Sequence, residues 1–363
     1  MPDAIWIDRQ DQLETLAQTL AHTAAQSQES ARWIGVDTEF LRERTFFPKL
    51  CLLQLAAGGR IWCVDTLRVG SLDPLMPALT APGARKVIHA ARQDLEAVYL
   101  SAKRVMTPIF DTQIAAGCIG LKPQVGYAEL VKTLLDVAIP KGQTRTDWSK
   151  RPLTREQLEY AADDVLYLGE VANRLSSRLR ELQREHWVAE DCLALEDRRL
   201  YEPDPADAWG RLRGLAQLSP ASRVRAKAIA VWREKIARSR DLPRAWILPD
   251  IAIYAVAEGA APPLNDVLAA SLTASLAASA TGAPEETPDD EPSHDARPTP
   301  AQKAVIERLA KIVDARAAEL EVSAEILAPR GELKALAMGK RESHALTGWR
   351  RDEIGTRLLA ALH

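Results

Sequence analysis

Strand-like apolar runs occur only in roughly the first 200 residues of this 363-residue chain, and this limits its fold more than any other feature. Apolar runs at residues 33–38, 50–56 and 60–65 predict three strands, with a hairpin turn at Ala57-Gly58-Gly59. Short runs at 86–89 and 108–111 predict two more strands. A helix over residues 92–100 lies between them, long enough for a parallel crossover. We therefore expect an α/β domain with a mixed sheet covered by helices.

The rest of the chain has a different pattern. Strand signals stop after Pro203, and residues 205–280 look entirely helical. Residues 281–300 contain five prolines and six acidic residues. This composition predicts a flexible acidic linker, with an ordered surface loop as the alternative.

An internal repeat organises the C-terminal part. The segment that begins at Trp246, contains Pro249 and ends at Gly259 recurs 80 positions later with Pro329 and Gly339. The shared proline and glycine argue against a chance similarity between Ala- and Leu-rich helices. The predicted domains are therefore an α/β domain (1–203), a first helical domain (204–280), a linker (281–300) and a second helical domain (301–363).

Charge and cysteine placement narrow the function classes. No apolar run is long enough to span a membrane, and no signal peptide is recognisable. The four cysteines form no CxxC pair, which argues against a zinc site and a disulfide framework and fits the cytoplasm. The net charge is only −3, yet residues 211–244 hold ten basic and two acidic residues. Such a basic stretch can attract phosphates.

Two carboxylates one residue apart are the strongest chemical signal. Asp37 and Glu39 follow a buried strand, and on a strand residues i and i+2 share a face. Two adjacent anions repel and are costly to bury unless a cation compensates. A divalent ion such as Mg²⁺ or Mn²⁺ prefers oxygen ligands, although a solvated strand end is the alternative explanation.

Two further segments add carboxylates. Asp94 lies in the first turn of the predicted helix at 92–100, where the helix dipole alone would also favour an acid. Tyr160 and Asp164 are four residues apart and so share a helix face, as a surface pair would too. Together the four carboxylates could hold two divalent ions about 3.5–4 Å apart and act in phosphoryl transfer, while Tyr160 orients the attacking water.

The order DxE, D, YxxxD resembles the signature of the DEDD 3′–5′ exonucleases in the subclass with a tyrosine, and is most similar to the ribonuclease D family. The likeness extends over nearly the whole chain. Its further matches are Leu53-Gln54-Leu55, His89-Ala90, Phe110-Asp111-Thr112, Asp147-Trp148 and Arg151-Pro152-Leu153. The two helical repeats resemble the helicase-and-RNase-D C-terminal (HRDC) module.

The resemblance implies an RNase H-like domain followed by two HRDC-like domains. It implies metal ligands at Asp37, Glu39, Asp94 and Asp164, with Asp37 bridging two ions, and a water-orienting hydroxyl at Tyr160. The subclass that uses a histidine base has it where this chain has Glu159. Asp163, beside Asp164, departs from the usual pattern and could compete as a ligand.

Substrate contacts are also predicted. Phe40 is expected to pack on the terminal nucleotide, His89 to lie in the pocket and Lys141 to meet a phosphate, with ordinary packing or a solvated charge as the alternatives. The basic stretch would form a phosphate track that does not read sequence, unless it is only a solvated helix face. Its predicted contacts are Arg223, Arg225, Lys227 and Arg233.

The sequence thus predicts a monomeric, cytoplasmic 3′–5′ exoribonuclease that acts on structured RNA such as tRNA precursors and releases 5′-mononucleotides. A DNA 3′–5′ exonuclease would use the same carboxylates, and only contacts to the terminal 2′-hydroxyl separate the two. A non-catalytic RNA-binding protein is a further alternative.

Overall fold

A six-stranded mixed sheet forms the N-terminal part of the protein. The structure, a computed structural model, describes residues 4–25, 33–140, 146–281 and 298–362. The strands are β1 (Ile5–Ile7), β2 (Trp33–Leu41), β3 (Lys49–Ala57), β4 (Arg60–Asp65), β5 (Arg85–Ile88) and β6 (Ile109–Asp111). They lie in the order β1-β4-β3-β2-β5-β6.

The central strands pair as the sequence predicts. β2, β3 and β4 form an antiparallel meander, and β5 and β6 add to β2 in parallel. Every residue from Leu50 to Leu55 in β3 is buried, so both faces of the sheet are covered, which explains the continuous apolar run. The five predicted strands are confirmed to within three residues at each end, while β1, parallel to β4 at the sheet edge, was not predicted.

Eight helices accompany the sheet in the described part of the α/β domain. They are α1 (Gln10–Ala25), α2 (Met76–Leu79), α3 (Arg92–Ala102), α4 (Thr112–Cys118), α5 (Tyr127–Leu135), α6 (Arg155–Leu166), α7 (Leu168–Glu181) and α8 (Glu185–Leu195). A capping box of Thr154 and Gln157 starts α6. The helix α6 ends at Leu166, and the N–H of the next residue, Tyr167, donates to the Tyr127 hydroxyl at 3.2 Å.

The C-terminal part is helical and repeats its structure. The first helical unit contains α9 (Pro220–Arg240), α10 (Arg244–Ile247), α11 (Asp250–Ala257) and α12 (Asp266–Thr281). The second contains α13 (Pro300–Leu320), α14 (Ala324–Leu327), α15 (Arg330–Ala337), α16 (Gly348–Arg350) and α17 (Thr356–Ala361). The long helices end at Asp241 and Glu321, both left-handed, and the third helices are followed by left-handed Gly259 and Gly339. The internal repeat is therefore a repeat of structure.

The two units pack differently. The first has a core of its own, which the ring of Phe46 from the α/β domain joins. The second shares one continuous core with the α/β domain, to which it contributes Leu309, Val313 and Trp349. The helical region confirms the predicted fold class. The predicted domain boundaries stay predictions, and most of the predicted linker lies outside the described residues.

Candidate active site

β2 places Asp37 and Glu39 side by side at the centre of the sheet, and α6 brings Asp164 to them. Carboxylate oxygens of these three residues lie within 4.8 Å of one another. Gly35 shares the strand face of Asp37. A Cβ at Gly35 would lie 3.3 Å from the carbonyl oxygen of Val165. The missing side chain therefore lets α6 approach β2 closely enough to assemble the cluster.

Asp94 joins the site from the first turn of α3. Its side chain is buried, and it accepts a hydrogen bond from the Thr38 hydroxyl at 2.5 Å. Burial raises the pKa of Asp94 to about 7, although the Thr38 bond opposes this rise. Thr38 was not predicted as a site residue, and its side chain fixes Asp94 relative to β2.

Burial raises the pKa of all four carboxyl groups, and repulsion within the cluster raises the pKa of Asp37 and Glu39 further. The pKa of Asp37 is raised well above its usual range by burial and by the charges of Asp94, Asp164 and Glu39. Burial, with the charges of Asp164 and Asp94, raises the pKa of Glu39 to about 8. Burial raises the pKa of Asp164 to about 6. An all-oxygen donor set whose anionic form is disfavoured until a cation arrives fits a divalent metal ion.

Tyr160 lies one turn before Asp164 on α6 and hydrogen-bonds to its carboxylate. Burial and the charges of Asp164 and Glu39 raise the pKa of Tyr160, so its hydroxyl stays protonated at neutral pH and can donate a hydrogen bond. The ring of Trp148 packs 6.1 Å from the Tyr160 ring, centre to centre, and supports it from the side.

Arg151 holds the loop that carries Trp148. Its guanidinium donates to both carboxylate oxygens of buried Asp65 at 2.7 and 2.8 Å, and to the Trp148 carbonyl at 2.7 Å. It also donates to the carbonyl of Cys51 at 2.8 Å. Cys51 is the extra residue of a β-bulge, because Glu39 pairs with Leu52 while the next residue of β2 pairs with Leu50. Bulges are frequent beside active sites.

Other predicted site residues take different positions. Asp163 points away from the cluster and lines a separate pocket of about 500 Å³ with Arg155 and Glu159, which supports Asp164 as the ligand. The His89 ring nitrogens lie 2.9 Å from the Thr112 hydroxyl and from the Val125 carbonyl. These contacts give His89 a structural role, and its predicted substrate contact is untested.

Phe40 is half-buried beside Glu39 and packs against the core of the α/β domain. Its predicted contact with the terminal nucleotide therefore stays a prediction. Lys141 lies outside the described residues.

The residues of the predicted phosphate track differ in how far they are exposed to solvent. Arg233 is only 5% exposed and donates to the Leu248 carbonyl at 2.9 Å and to Asp250 at 2.5 Å, so it packs the first helical unit instead of facing solvent. The helical spacing carries a signal for this, because Arg233 lies on one face of α9 with buried Ile229 and Ala237. Arg225 is exposed, and the Lys227 ammonium lies 4.0 Å from the centre of the Trp209 ring. Arg223 donates to the Leu215 and Leu218 carbonyls.

Comparisons with known proteins agree with this geometry. Residues 4–180 match a family described as 3′–5′ exonuclease. Ribonuclease D of Xanthomonas oryzae pv. oryzae is 36% identical over 338 residues, covering 91% of this chain and 93% of the relative. Ribonuclease D of Sphingobium indicum is 35% identical, covering 94% and 92%.

A solved structure extends the likeness to the helical region. The crystal structure of Escherichia coli RNase D, described as an exoribonuclease involved in structured RNA processing, has a TM-score of 0.87 and 26% identity. It covers 99% of this chain, and this chain covers 98% of it.

The fold and the carboxylate site are thus those of a 3′–5′ exonuclease, in which the acidic cluster indicates use of a divalent metal ion. The chain belongs to the ribonuclease D family of exoribonucleases, which confirms the predicted family and activity. Within the described ranges, no helix combines the length and apolarity needed to cross a membrane.

Proposed function

We propose that this protein trims the 3′ ends of structured RNA, such as tRNA precursors, with two Mg²⁺ or Mn²⁺ ions, and releases 5′-mononucleotides. We further propose that it acts as a monomer in the cytoplasm. The observation that carries the proposal is the convergence of Asp37, Glu39 and Asp164 from β2 and α6, with Asp94 beside them.

The residues divide the work. Asp37, Glu39, Asp94 and Asp164 would hold the ions. When bound, divalent ions stabilise the negative charge that develops on the attacking and leaving oxygens of the phosphodiester. Tyr160, fixed by Asp164 and Trp148, orients the water through its hydroxyl oxygen, which accepts a hydrogen bond from the water while its O–H donates to Asp164. Phe40 borders the position of the terminal nucleotide, and Arg223, Arg225 and Lys227 contact phosphates further along the strand.

The test separates cleavage from binding. Asp37→Asn should abolish cleavage of a tRNA with a 3′ extension and leave its affinity for that RNA largely intact, because the substitution removes one charge from the cluster. Asp163→Asn is the matched control, since the neighbouring carboxylate faces the other pocket. Wild-type turnover by Asp37→Asn, or an equal loss in both variants, would contradict the assignment.

Two further measurements complete the test. Chelation of divalent ions should stop cleavage, and Mg²⁺ or Mn²⁺ should restore it. Degradation of single-stranded RNA and DNA of one sequence should be compared, because faster degradation of the DNA would favour the DNA exonuclease alternative.

A further inference from the structure

A basic cleft lies between the α/β domain and the first helical unit. Its volume is about 630 Å³. Three basic residues line each side: Arg42, Arg92 and Lys103 on the α/β domain, and Arg211, Arg238 and Arg244 on the helical unit. Three acidic residues, Glu96, Glu202 and Asp204, also line it. The lining therefore has a clear excess of positive charge.

One buried carboxylate organises the helical side of the cleft. Glu234 is 1% exposed and accepts hydrogen bonds from Arg244 at 2.5 and 2.9 Å. Arg238 and Arg211 each reach it by a single contact of 3.4 Å. One anion thus faces three guanidinium groups and cannot neutralise them. Arg211 is 47% exposed and directs only one nitrogen at Glu234, which leaves other N–H donors of its guanidinium for a ligand.

The arginine side chains are held in place before any ligand arrives. The loop after β2 docks on the helical unit, where the N–H groups of Phe46 and Phe47 both donate to Asp241 at 3.0 Å. The Arg244 guanidinium stacks 4.4 Å from the centre of the buried Phe46 ring, and that of Arg238 lies 5.6 Å from it. Preorganised guanidinium groups lose less freedom on binding a ligand.

The α/β side of the cleft is built from the same two segments as the active site. Arg42 comes three residues after Glu39, and Arg92 comes two residues before Asp94. Arg42 is paired with Glu96 at 2.7 and 2.9 Å, whereas the Arg92 guanidinium lies over the Tyr201 ring. An RNA strand whose 3′ end lies at the carboxylates would therefore pass this cleft with its upstream phosphates.

We propose that the cleft binds a backbone phosphate of the RNA, upstream of the terminal nucleotide, through Arg211, Arg238 and Arg244. This rests on the proposed function. Within the basic stretch that the sequence predicts, it moves the main phosphate contact to the residues around Glu234, away from the predicted Arg223, Arg225, Lys227 and Arg233. Guanidinium groups match phosphate oxygens in geometry, and such a contact reads no sequence.

The experiment compares Arg211→Gln with Arg213→Gln. Both remove one exposed positive charge, but only Arg211 lines the cleft. Equilibrium binding is measured in an Asp37→Asn background with a dinucleotide and with a single-stranded RNA of about twelve nucleotides, which is long enough to reach beyond the active site. Arg211→Gln should weaken binding of the longer RNA roughly fivefold and lower the salt slope by about 0.7. Dinucleotide binding, and dinucleotide cleavage by Arg211→Gln with Asp37 intact, should be unchanged.

A neutral methylphosphonate linkage then locates the phosphate. When the neutral linkage replaces the phosphate that the cleft binds, it should weaken RNA binding by the protein that has Arg211. The same linkage should not weaken binding by Arg211→Gln any further. Arg211→Lys keeps the charge and should retain the salt slope. If Arg211→Gln melts at a lower temperature than the wild type, the salt slope of Arg211→Lys is the measurement that tests the proposal. Unchanged binding of the longer RNA by Arg211→Gln, or equal losses for both RNA lengths, would overturn the proposal. Failure of the unmutated protein to cleave any RNA would instead refute the proposed function.

Discussion

The stacked pair of Trp187 and Trp349 predicts that the second helical unit contributes to the stability of the α/β domain. The two rings lie 4.0 Å apart, centre to centre, with an interplanar angle of 8°. Both residues are 2% exposed. Beside them, Arg350 forms a paired contact with Asp191 at 2.6 and 2.8 Å. Trp349→Ala should therefore destabilise the α/β domain, although Trp349 lies far away in the sequence.

The size of the effect follows from the buried ring. Truncation of a buried tryptophan to alanine costs about 3–5 kcal/mol. An aromatic pair contributes about 0.5–1.5 kcal/mol beyond its area, which favours the upper half of that range. A loss of about 4 kcal/mol corresponds to a fall in melting temperature of roughly 8–16 °C for a domain of this size.

The assay follows urea unfolding by circular dichroism, with residual dinucleotide cleavage after heating as the reporter for the α/β domain. Trp232→Ala is the matched control, because Trp232 is equally buried but belongs to the separate core of the first helical unit. After heating, Trp349→Ala should retain less dinucleotide cleavage than the wild type, whereas Trp232→Ala should retain as much as the wild type. A change below about 1 kcal/mol in Trp349→Ala, or equal effects of both substitutions on cleavage, would refute the shared core.

Three further predictions concern Gly120, which contacts the second helical unit, Tyr160 and the carboxylate cluster. Gly120→Ala should lower the free energy of unfolding by about 1–3 kcal/mol, because φ of Gly120 is +91° and the new Cβ would clash with the Glu321 carbonyl. Gly169→Ala is the control and should not destabilise the protein, because open space surrounds Gly169. Equal melting temperatures of the two variants would contradict this prediction. Tyr160→Phe should slow single-turnover cleavage about 10²-fold without weakening RNA binding, and a rate near that of the wild type would remove the tyrosine from the mechanism. Because the pKa of Glu39 is raised from 4.5 to about 8, the folded metal-free protein binds this proton more tightly than the unfolded chain does. Its stability should therefore fall as the pH rises from about 4.5 to 8, and the gain in melting temperature on adding Mg²⁺ should grow over that range; a gain independent of pH would contradict it.

The sequence predicts those features that have a local periodic signal. The strands β2 to β6, the start of α6 and the structural repeat all carry such signals. β1 was not predicted although it is no shorter than β6, because its place at the sheet edge depends on pairing with β4. The four carboxylates could be grouped because their residue types and order resemble a known family.

Features that depend on tertiary contacts were not predicted from the sequence. Arg233 and Arg225 both belong to the basic stretch, yet one packs against Leu248 and the other is exposed. The basic cleft takes its helical side from the basic stretch 211–244, but its other side comes from segments far away in the chain, which spacing does not indicate. The different packing of the two helical units depends on which partner surface each one meets, and the repeat pattern does not contain that information.

The bulge at Cys51 fixes the length of β3. Deletion of Cys51 would straighten β3, although the pairs on both sides of the bulge, Glu39 with Leu52 and Phe40 with Leu50, would keep their register. It would also remove the carbonyl to which Arg151 donates, and with it one anchor of the loop that supports Tyr160. Active variants should therefore keep the extra residue at position 51 of this strand.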